Sequence, residues 1–289
     1  MISIIIPTYN NLDYLKICLN SIKKNSIYSH EIILHINEGV DGTLKFAEDN
    51  NIKFTYSKKN NGICIGCNQA VRISTNDLLL YAHDDMYFCP DWDLFFSKEL
   101  AKIKLNDFFL SGTMVQPFES YINLNCGLTY DNFNEKKLLA ELPSIIFDDF
   151  QGTHWQPSLI PLKTWRKVGG FSEEFYPGTG SDPDLNMKLW LEGVRIFKGL
   201  NDCKVYHFGS IVTRQKEKNF NTVTETGSKG SKLFLLKWGI SIKFFKNHFL
   251  RSGTKYTGPL DEPLKNLRYY FELFLCKIYK FYLKIFFKS

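Results

Sequence analysis

The sequence predicts an α/β protein: a mainly parallel sheet with helices on both faces, followed by a helical C-terminal extension. Three observations carry this. Short β-branched runs alternate with stretches of helical spacing through the first third of the chain. A polar loop follows each of three of those runs, where a parallel crossover would begin. The composition is globular, with 44% hydrophobic and 23% charged residues over 289 positions, enough for a full core.

Taken in order, Ile2 to Ile6 is a buried strand cut by Pro7. Tyr14 to Ile22 places Tyr14, Leu15, Cys18, Leu19 and Ile22 at helical spacing. Glu31 to Ile36 is a second strand, Thr43 to Asp49 a short helix, and Ile52 to Tyr56 a third strand. Asn68 to Ile73 is helical and Asp77 to Ala82 a fourth strand. Residues 105 to 165 are less regular. Asp184 to Glu192 is a helix stopped by Gly193. Residues 1 to 215 form one α/β unit, 216 to 231 a polar linker, and 232 to 289 a basic, aromatic extension. Within the extension, Leu233 to Leu250 and Leu264 to Phe287 are two helices joined around Gly258-Pro259.

Several function classes fall away. Seven scattered cysteines in a chain of this length indicate reduced thiols. Cys64 and Cys67 form a C-x-x-C pair, read as small buried side chains or a redox pair; a zinc site would need a second pair, which is missing. Met1 to Pro7 has neither a basic leader nor a cleavage site, so no signal peptide is expected. No run approaches the roughly eighteen apolar residues of a membrane span. The predicted core carries no basic stripe with interleaved aromatics, which argues against nucleic acid.

In a parallel sheet, ligands gather where strands end. The loops Pro7 to Asn11, Asn37 to Asp41 and His83 to Met86 should therefore converge on one cleft. Carboxylates such as Asp84 and Asp85 at a strand end hold hard cations, which neutralise phosphate oxygens; a turn or helix cap uses the same residues.

The order of motifs around them resembles the family 2 glycosyltransferases. Ile4-Ile5-Ile6-Pro7-Thr8-Tyr9-Asn10 is similar to their opening strand and nucleotide loop, and Val40-Asp41-Gly42-Thr43 to the acidic loop after their second strand. Asn60-Asn61-Gly62 with Asn68 resembles their N-x-G turn and helix. His83-Asp84-Asp85 falls where they carry a D-x-D metal motif, Gly169-Gly170-Phe171 where they have a glycine turn, and Gly180-Ser181-Asp182-Pro183-Asp184-Leu185 where they have an acceptor segment. His207 resembles their late metal-ligand histidine. The likeness spans about residues 1 to 215.

That resemblance implies a GT-A fold with a Rossmann-like sheet, and an inverting transfer from a nucleotide-sugar donor to a glycan or lipid-linked hydroxyl acceptor. It implies Asp182 as general base, and Mn²⁺ or Mg²⁺ held by His83, Asp85 and His207. Pro7, Thr8, Tyr9, Asn37, Asp41, Gly62, Asn68, Asp84 and Arg214 would bind the donor, with Lys216 beside Arg214. Trp155, Ser181 and Asp184 would bind the acceptor. His83 replaces the family's first aspartate and either binds the cation or touches the donor. The base-contacting aspartate after the second strand is absent, Ile36, Asn37 and Glu38 standing there. Ser181 replaces the glutamate before the catalytic aspartate. Asp184 orients the acceptor or caps its helix, and Trp155, after His154, stacks on a sugar or sits in the core.

Two other readings compete. A sugar-phosphate nucleotidyltransferase would open with a glycine-rich loop, and Pro7 to Asn11 contains no glycine. A non-catalytic carbohydrate-binding relative would tolerate His83 and Ser181. Net charge is +6, and from Lys265 onward six basic residues meet only Glu272. Lys277, Lys280, Lys284 and Lys288 form a helical stripe opposite Tyr279, Tyr282 and Phe286, which implies either contact with a membrane surface or packing on the catalytic domain. The expected location is cytoplasmic, peripheral at the inner face of the membrane.

Overall fold

The computed structural model describes residues 1–118, 122–153, 156–209 and 220–286. Strands β1 (Ser3–Tyr9), β2 (Glu31–Asn37), β3 (Lys53–Ser57) and β4 (Leu78–Tyr81) alternate with helices α1 (Leu12–Asn25), α2 (Thr43–Asp49) and α3 (Gly62–Val71). β1 runs parallel to β2 and β4, and β2 parallel to β3. Helix α3 starts six residues before the sequence-based expectation. Its start is set at Gly62, whose N–H is accepted by the Asn60 side chain at 2.9 Å and whose φ of +75° turns the chain into the helix.

The second half comprises β5 (Met86–Phe88), α4 (Trp92–Leu100), β6 (Phe109–Gln116), β7 (Ile122–Asn123), α5 (Glu135–Glu141), β8 (Phe150–Gln151), β9 (Ser158–Pro161), α6 (Leu162–Lys167), α7 (Ser181–Leu191) and β10 (Phe197–His207). The sheet runs β3-β2-β1-β4-β9-β6-β10-β5, with β7 beside β6 and β8 beside β10. β9 pairs antiparallel to both β4 and β6, so the parallel order predicted from the first third gives way to a mixed sheet. The strand that makes this joint lies in the stretch where hydrophobic periodicity was weak.

Both faces are buried, and the period-2 alternation of β1 shows how. Ile4 and Ile6 point to one face, against Leu15, Leu19 and Ile22 of α1 and Phe96 of α4. Ile5 points to the other, against Cys64 and Cys67 of α3, with Leu185 and Leu189 of α7 in the same cluster. All seven cysteines are unpaired and buried. Burial pushes the Cys64 thiol up to about 12, so the C-x-x-C pair is core filling rather than a redox couple.

The extension packs on the α7 face. A helix over Phe220–Trp238 runs through the described part of the expected linker and buries Phe234 and Leu235 in the same core. The single helix expected over Leu233 to Leu250 is broken at Gly239, where φ is +78°, and the chain restarts with Ser241 capping Phe244. The last helix spans Leu267–Phe286.

Candidate active site

Three strand ends bring the metal-type side chains together. β4 ends two residues before His83, and Asp85 immediately precedes β5. β10 runs antiparallel to β5 with His207 opposite Met86, and the Phe208 N–H donates to the Asp85 carbonyl at 3.1 Å. This pairing brings residue 207 beside residue 85 across 122 positions of chain. β6, parallel to β10, ends on Gln116, whose Nε2 lies 2.5 Å from His207 Nδ1.

His207 Nε2 is 3.1 Å from Asp85 Oδ1 and 3.4 Å from His83 Nδ1, and one ligand atom from each of the three residues lies within 4.8 Å of the others. Donor atoms about 2.1 Å from one ion stand roughly 3.0–3.4 Å apart, so the spacing fits a shared cation. The remaining ring nitrogens are held from behind. Tyr81 Oη lies 3.1 Å from His83 Nε2, and the Gln116 amide meets His207 Nδ1; ligation through His207 Nε2 requires Nδ1–H, with the Gln116 amide turned so that its oxygen accepts. With Nε2–H of His83 donating to Tyr81, its Nδ1 keeps a lone pair for the centre. Burial, with His207 beside it, holds His83 down to about 4 despite Asp85, so the ring is neutral at pH 7 and able to coordinate. Asp84 is pushed up by burial and by Asp85, against the pull of Thr8 and Asn11.

Asp182 sits in the first turn of α7. Its carboxylate accepts from Gln156 Nε2 at 2.6 Å, and burial raises it to about 7 although that hydrogen bond works the other way. A carboxyl poised near neutrality suits a general base. The Tyr81 hydroxyl meets His83, and burial above all, with Cys67 and Asp182 adding to it, holds its phenol well above the usual range.

Other expected site residues have structural employment. Asp41 accepts from the Leu12 N–H at 2.8 Å and from the Thr43 hydroxyl at 2.7 Å, so it ties the start of α1 to that of α2. Asn68 donates to the Phe171 carbonyl at 2.8 Å and accepts from the Phe171 N–H at 2.9 Å, which commits its amide to the glycine turn. At Gly62 an added Cβ would lie 2.8 Å from the Pro177 carbonyl oxygen, so this glycine lets α3 meet the loop before Asp182. Asn37 Oδ1 accepts the Asn61 N–H at 2.9 Å. Pro7 is buried within β1 opposite His35, and Thr8 is buried beside Asp84. Tyr9 is half-buried; burial first and then Glu38 raise its phenol.

The acceptor expectations change most. Ser181 is buried and its hydroxyl donates to the Gly178 carbonyl at 2.6 Å. Asp184 is fully buried: it accepts from Ser172 Oγ at 2.5 Å and Trp238 Nε1 at 2.8 Å, and pairs with Lys237 at 2.9 Å. Both side chains are engaged by local partners, as buried polar groups at helix starts commonly are. Trp155 and Arg214, like His154 and Lys216, lie outside the described residues.

Tyr81, Gln116 and Gln156 escaped the sequence reading. Tyr81 had a signal, since it lies two residues before His83 on the same strand side. Gln116 and Gln156 had none: sheet pairing brings Gln116 to His207, and Gln156, two residues before β9, reaches Asp182. A hollow of about 460 Å³ lined by Leu78, Ile103, Phe108 and Pro161 opens at the opposite end of β4 and shares no residue with the cluster.

Comparison with known proteins is consistent with this geometry. Residues 3–108 match the model of Glycosyl transferase family 2. The chondroitin synthase and hyaluronan synthase of Pasteurella multocida are each 27% identical over 206 residues, 70% of this chain and 20% of theirs. The uncharacterized glycosyltransferase YfnE of Bacillus subtilis is 36% identical over 94 residues, 31% of this chain and 24% of that protein. The chain thus spans only about a fifth to a quarter of these curated relatives. Among solved structures, S. aureus TarS residues 1–349 superposes with a TM-score of 0.56 at 18% identity, covering 82% of this chain and 64% of that one. The same TarS fragment is also solved with UDP and with UDP-GlcNAc. GalNAc-T7 with UDP, GalNAc and Mn²⁺ gives 0.55 at 13% identity, covering 72% of this chain and 43% of that one. At these identities the likeness is one of fold, the GT-A arrangement of a central mixed sheet flanked by helices.

Proposed function

We propose that this chain, whose residues 3–108 match the model of Glycosyl transferase family 2, is a family 2 glycosyltransferase that moves a sugar from a nucleotide-sugar donor to a hydroxyl acceptor with inversion at the anomeric carbon. The observation that carries the reading is the cation-type cluster, with Asp182 as a separate raised carboxyl felt by the same Tyr81 whose hydroxyl meets His83. His83, Asp85 and His207 form a cation-type cluster, and Asp182 is a carboxyl raised to about 7.

Asp182 takes the proton of the acceptor hydroxyl while that oxygen attacks the anomeric carbon. The new carbon–oxygen bond forms as the bond to the diphosphate oxygen breaks, and the nucleoside diphosphate leaves with the bonding pair. Gln156 fixes the carboxylate's direction through its 2.6 Å hydrogen bond. Mn²⁺ or Mg²⁺ held by His83, Asp85 and His207 would supply positive charge beside the departing diphosphate, and the two imidazoles favour Mn²⁺. Asp84, Thr8 and Tyr9, near the ends of β1 and β4, are retained as candidates for the donor, and Arg214 as a candidate for its phosphates.

A uridine diphosphate sugar is the favoured donor, because the fold neighbours TarS and GalNAc-T7 are solved with UDP. A growing surface polysaccharide or a glycolipid is the favoured acceptor, because two sequence relatives are polysaccharide synthases. The test is hydrolysis and transfer of UDP-, GDP- and dTDP-sugars in Mn²⁺, together with thermal shifts for each donor. Turnover by the wild type and its loss in Asp182→Asn, with donor-dependent thermal shift retained, supports the proposal. Absence of turnover with every donor, or full turnover in Asp182→Asn, overturns it.

A further inference from the structure

The C-terminal helix Leu267–Phe286 is apolar on two opposite sides. Its inner side buries Cys276 and Leu283, with Tyr269 and Leu273 against the same core, and the Ser241 N–H donates to Cys276 Sγ at 3.4 Å. On the opposite side Leu267, Phe271, Phe274, Ile278, Phe281 and Ile285 recur every three or four residues, which aligns them along one face. All six are exposed, from 51% at Ile278 to 90% at Leu267. Nothing among the described residues covers them. Soluble surfaces seldom carry a contiguous apolar patch of that extent without a use for it.

This differs from the arrangement expected from spacing alone, in which Tyr279, Tyr282 and Phe286 faced away from a lysine stripe. The outward face is the six-residue apolar row. Lys277 and Lys284 stand on its shoulder, roughly a quarter-turn away at 100° per residue, and Lys280 is half-buried near Gly239.

We propose that this face docks on a lipid surface bearing anionic headgroups, the helix lying in the plane of the interface. No described helix is long and apolar enough to cross a membrane, so the helix lies on the bilayer rather than in it. Charge selects the lipid: Lys277 and Lys284 flank the apolar row, and the one acid on the helix, Glu272, is already bound by Arg268 and His248 at 2.8 Å. A second copy of the chain fits less well. Its basic shoulders would meet no acidic counterpart. The exposed apolar surface also extends past a two-helix seam onto Tyr270, Leu275 and Tyr282. Phenylalanines with tyrosines at the edge suit the boundary between headgroups and acyl chains. The proposal does not depend on the transfer chemistry, so the two fail separately.

The experiment is flotation of the full chain with vesicles of phosphatidylcholine alone or mixed with phosphatidylglycerol, beside size-exclusion light scattering. Wild-type protein should float with the anionic vesicles and partition less as salt rises. Phe274→Glu with Phe281→Glu should weaken partition by roughly tenfold or more while thermal unfolding and donor hydrolysis in solution are unchanged. Lys277→Gln with Lys284→Gln should remove the preference for anionic vesicles, about fivefold per lysine. Wild-type protein that stays unbound, or the glutamate pair floating as well as wild type, overturns the proposal. So does a dimer that the glutamate pair splits in the absence of vesicle binding.

Discussion

Lys237 Nζ lies 2.9 Å from Oδ1 of the fully buried Asp184, which fastens the extension to the helix whose first turn carries Asp182. Lys237 also reaches Glu174 at 2.7 Å, and Trp238 donates to the same Asp184 oxygen. The C-terminal segment is therefore part of the floor beneath the candidate base rather than a loosely attached tail. Removing one partner of a buried pair leaves an uncompensated charge. Lys237→Ala should lower stability by on the order of 3 kcal/mol, read from urea unfolding. Asp184→Asn, which keeps the Trp238 contact, should cost less, and the double mutant should be less than additive.

The glycine turn offers a paired test. Gly169 and Gly170 both have positive φ, +74° and +63°, but an added Cβ at Gly169 meets nothing within 4 Å. At Gly170 it would lie 2.4 Å from Asn68 Oδ1 and 2.8 Å from Trp165 Nε1. Gly169→Ala should cost about 1 kcal/mol from backbone strain alone. Gly170→Ala should cost about 2–4 kcal/mol, because the Asn68–Phe171 clamp must open as well. Equal losses in thermal unfolding would contradict the packing account.

Asp182 sets a pH dependence with an unusual sign. Its carboxyl is raised from an ordinary 3.8 to about 7 by burial. The base is the deprotonated form, so turnover should fall as pH drops below about 7, approaching tenfold per unit. The folded state binds more protons than the unfolded state between those values, so this group lowers stability as pH rises through that window. Asp182→Asn should therefore be more stable than wild type at pH 8, by on the order of 2–4 kcal/mol, and nearly equal to it at pH 3.5. Calorimetry at the two pH values checks both arms.

Mn²⁺ should raise the unfolding temperature of the wild type in proportion to its binding. Asp85→Asn and His207→Ala should each abolish most of that rise. Gln116→Ala should weaken Mn²⁺ affinity by roughly tenfold while leaving the ligands in place, since it acts only by orienting His207. A wild-type rise retained in all three variants would place the cation elsewhere.

Much of the first half was legible in the sequence because local signals and tertiary structure agree there. The short β-branched run Ile2 to Ile6 marks a strand buried on both faces, and the spacing of Leu15, Cys18, Leu19 and Ile22 specifies the buried side of α1, whatever the partner. The weak stretch 105 to 165 was not legible, because β9 owes its place to antiparallel pairing with β4 and β6 and not to a pattern of its own. At the site, residue types were legible and their employment was not. Asp41, Asn68, Ser181 and Asp184 all have the chemistry to bind a ligand. Each satisfies backbone or buried partners in the fold, contacts that distance and burial decide and spacing does not.

By itself the sequence determined the α/β class and supplied the cation-type residue types His83, Asp85 and His207, since periodicity and side-chain chemistry are local properties. Only the tertiary structure decided that His207 and Gln116 meet Asp85 and His83. It also decided that Asp184 holds the extension down, and that the last helix turns Phe274 and Phe281 outward. Those outcomes depend on contacts between residues far apart in the chain, and one-dimensional spacing carries no term for them.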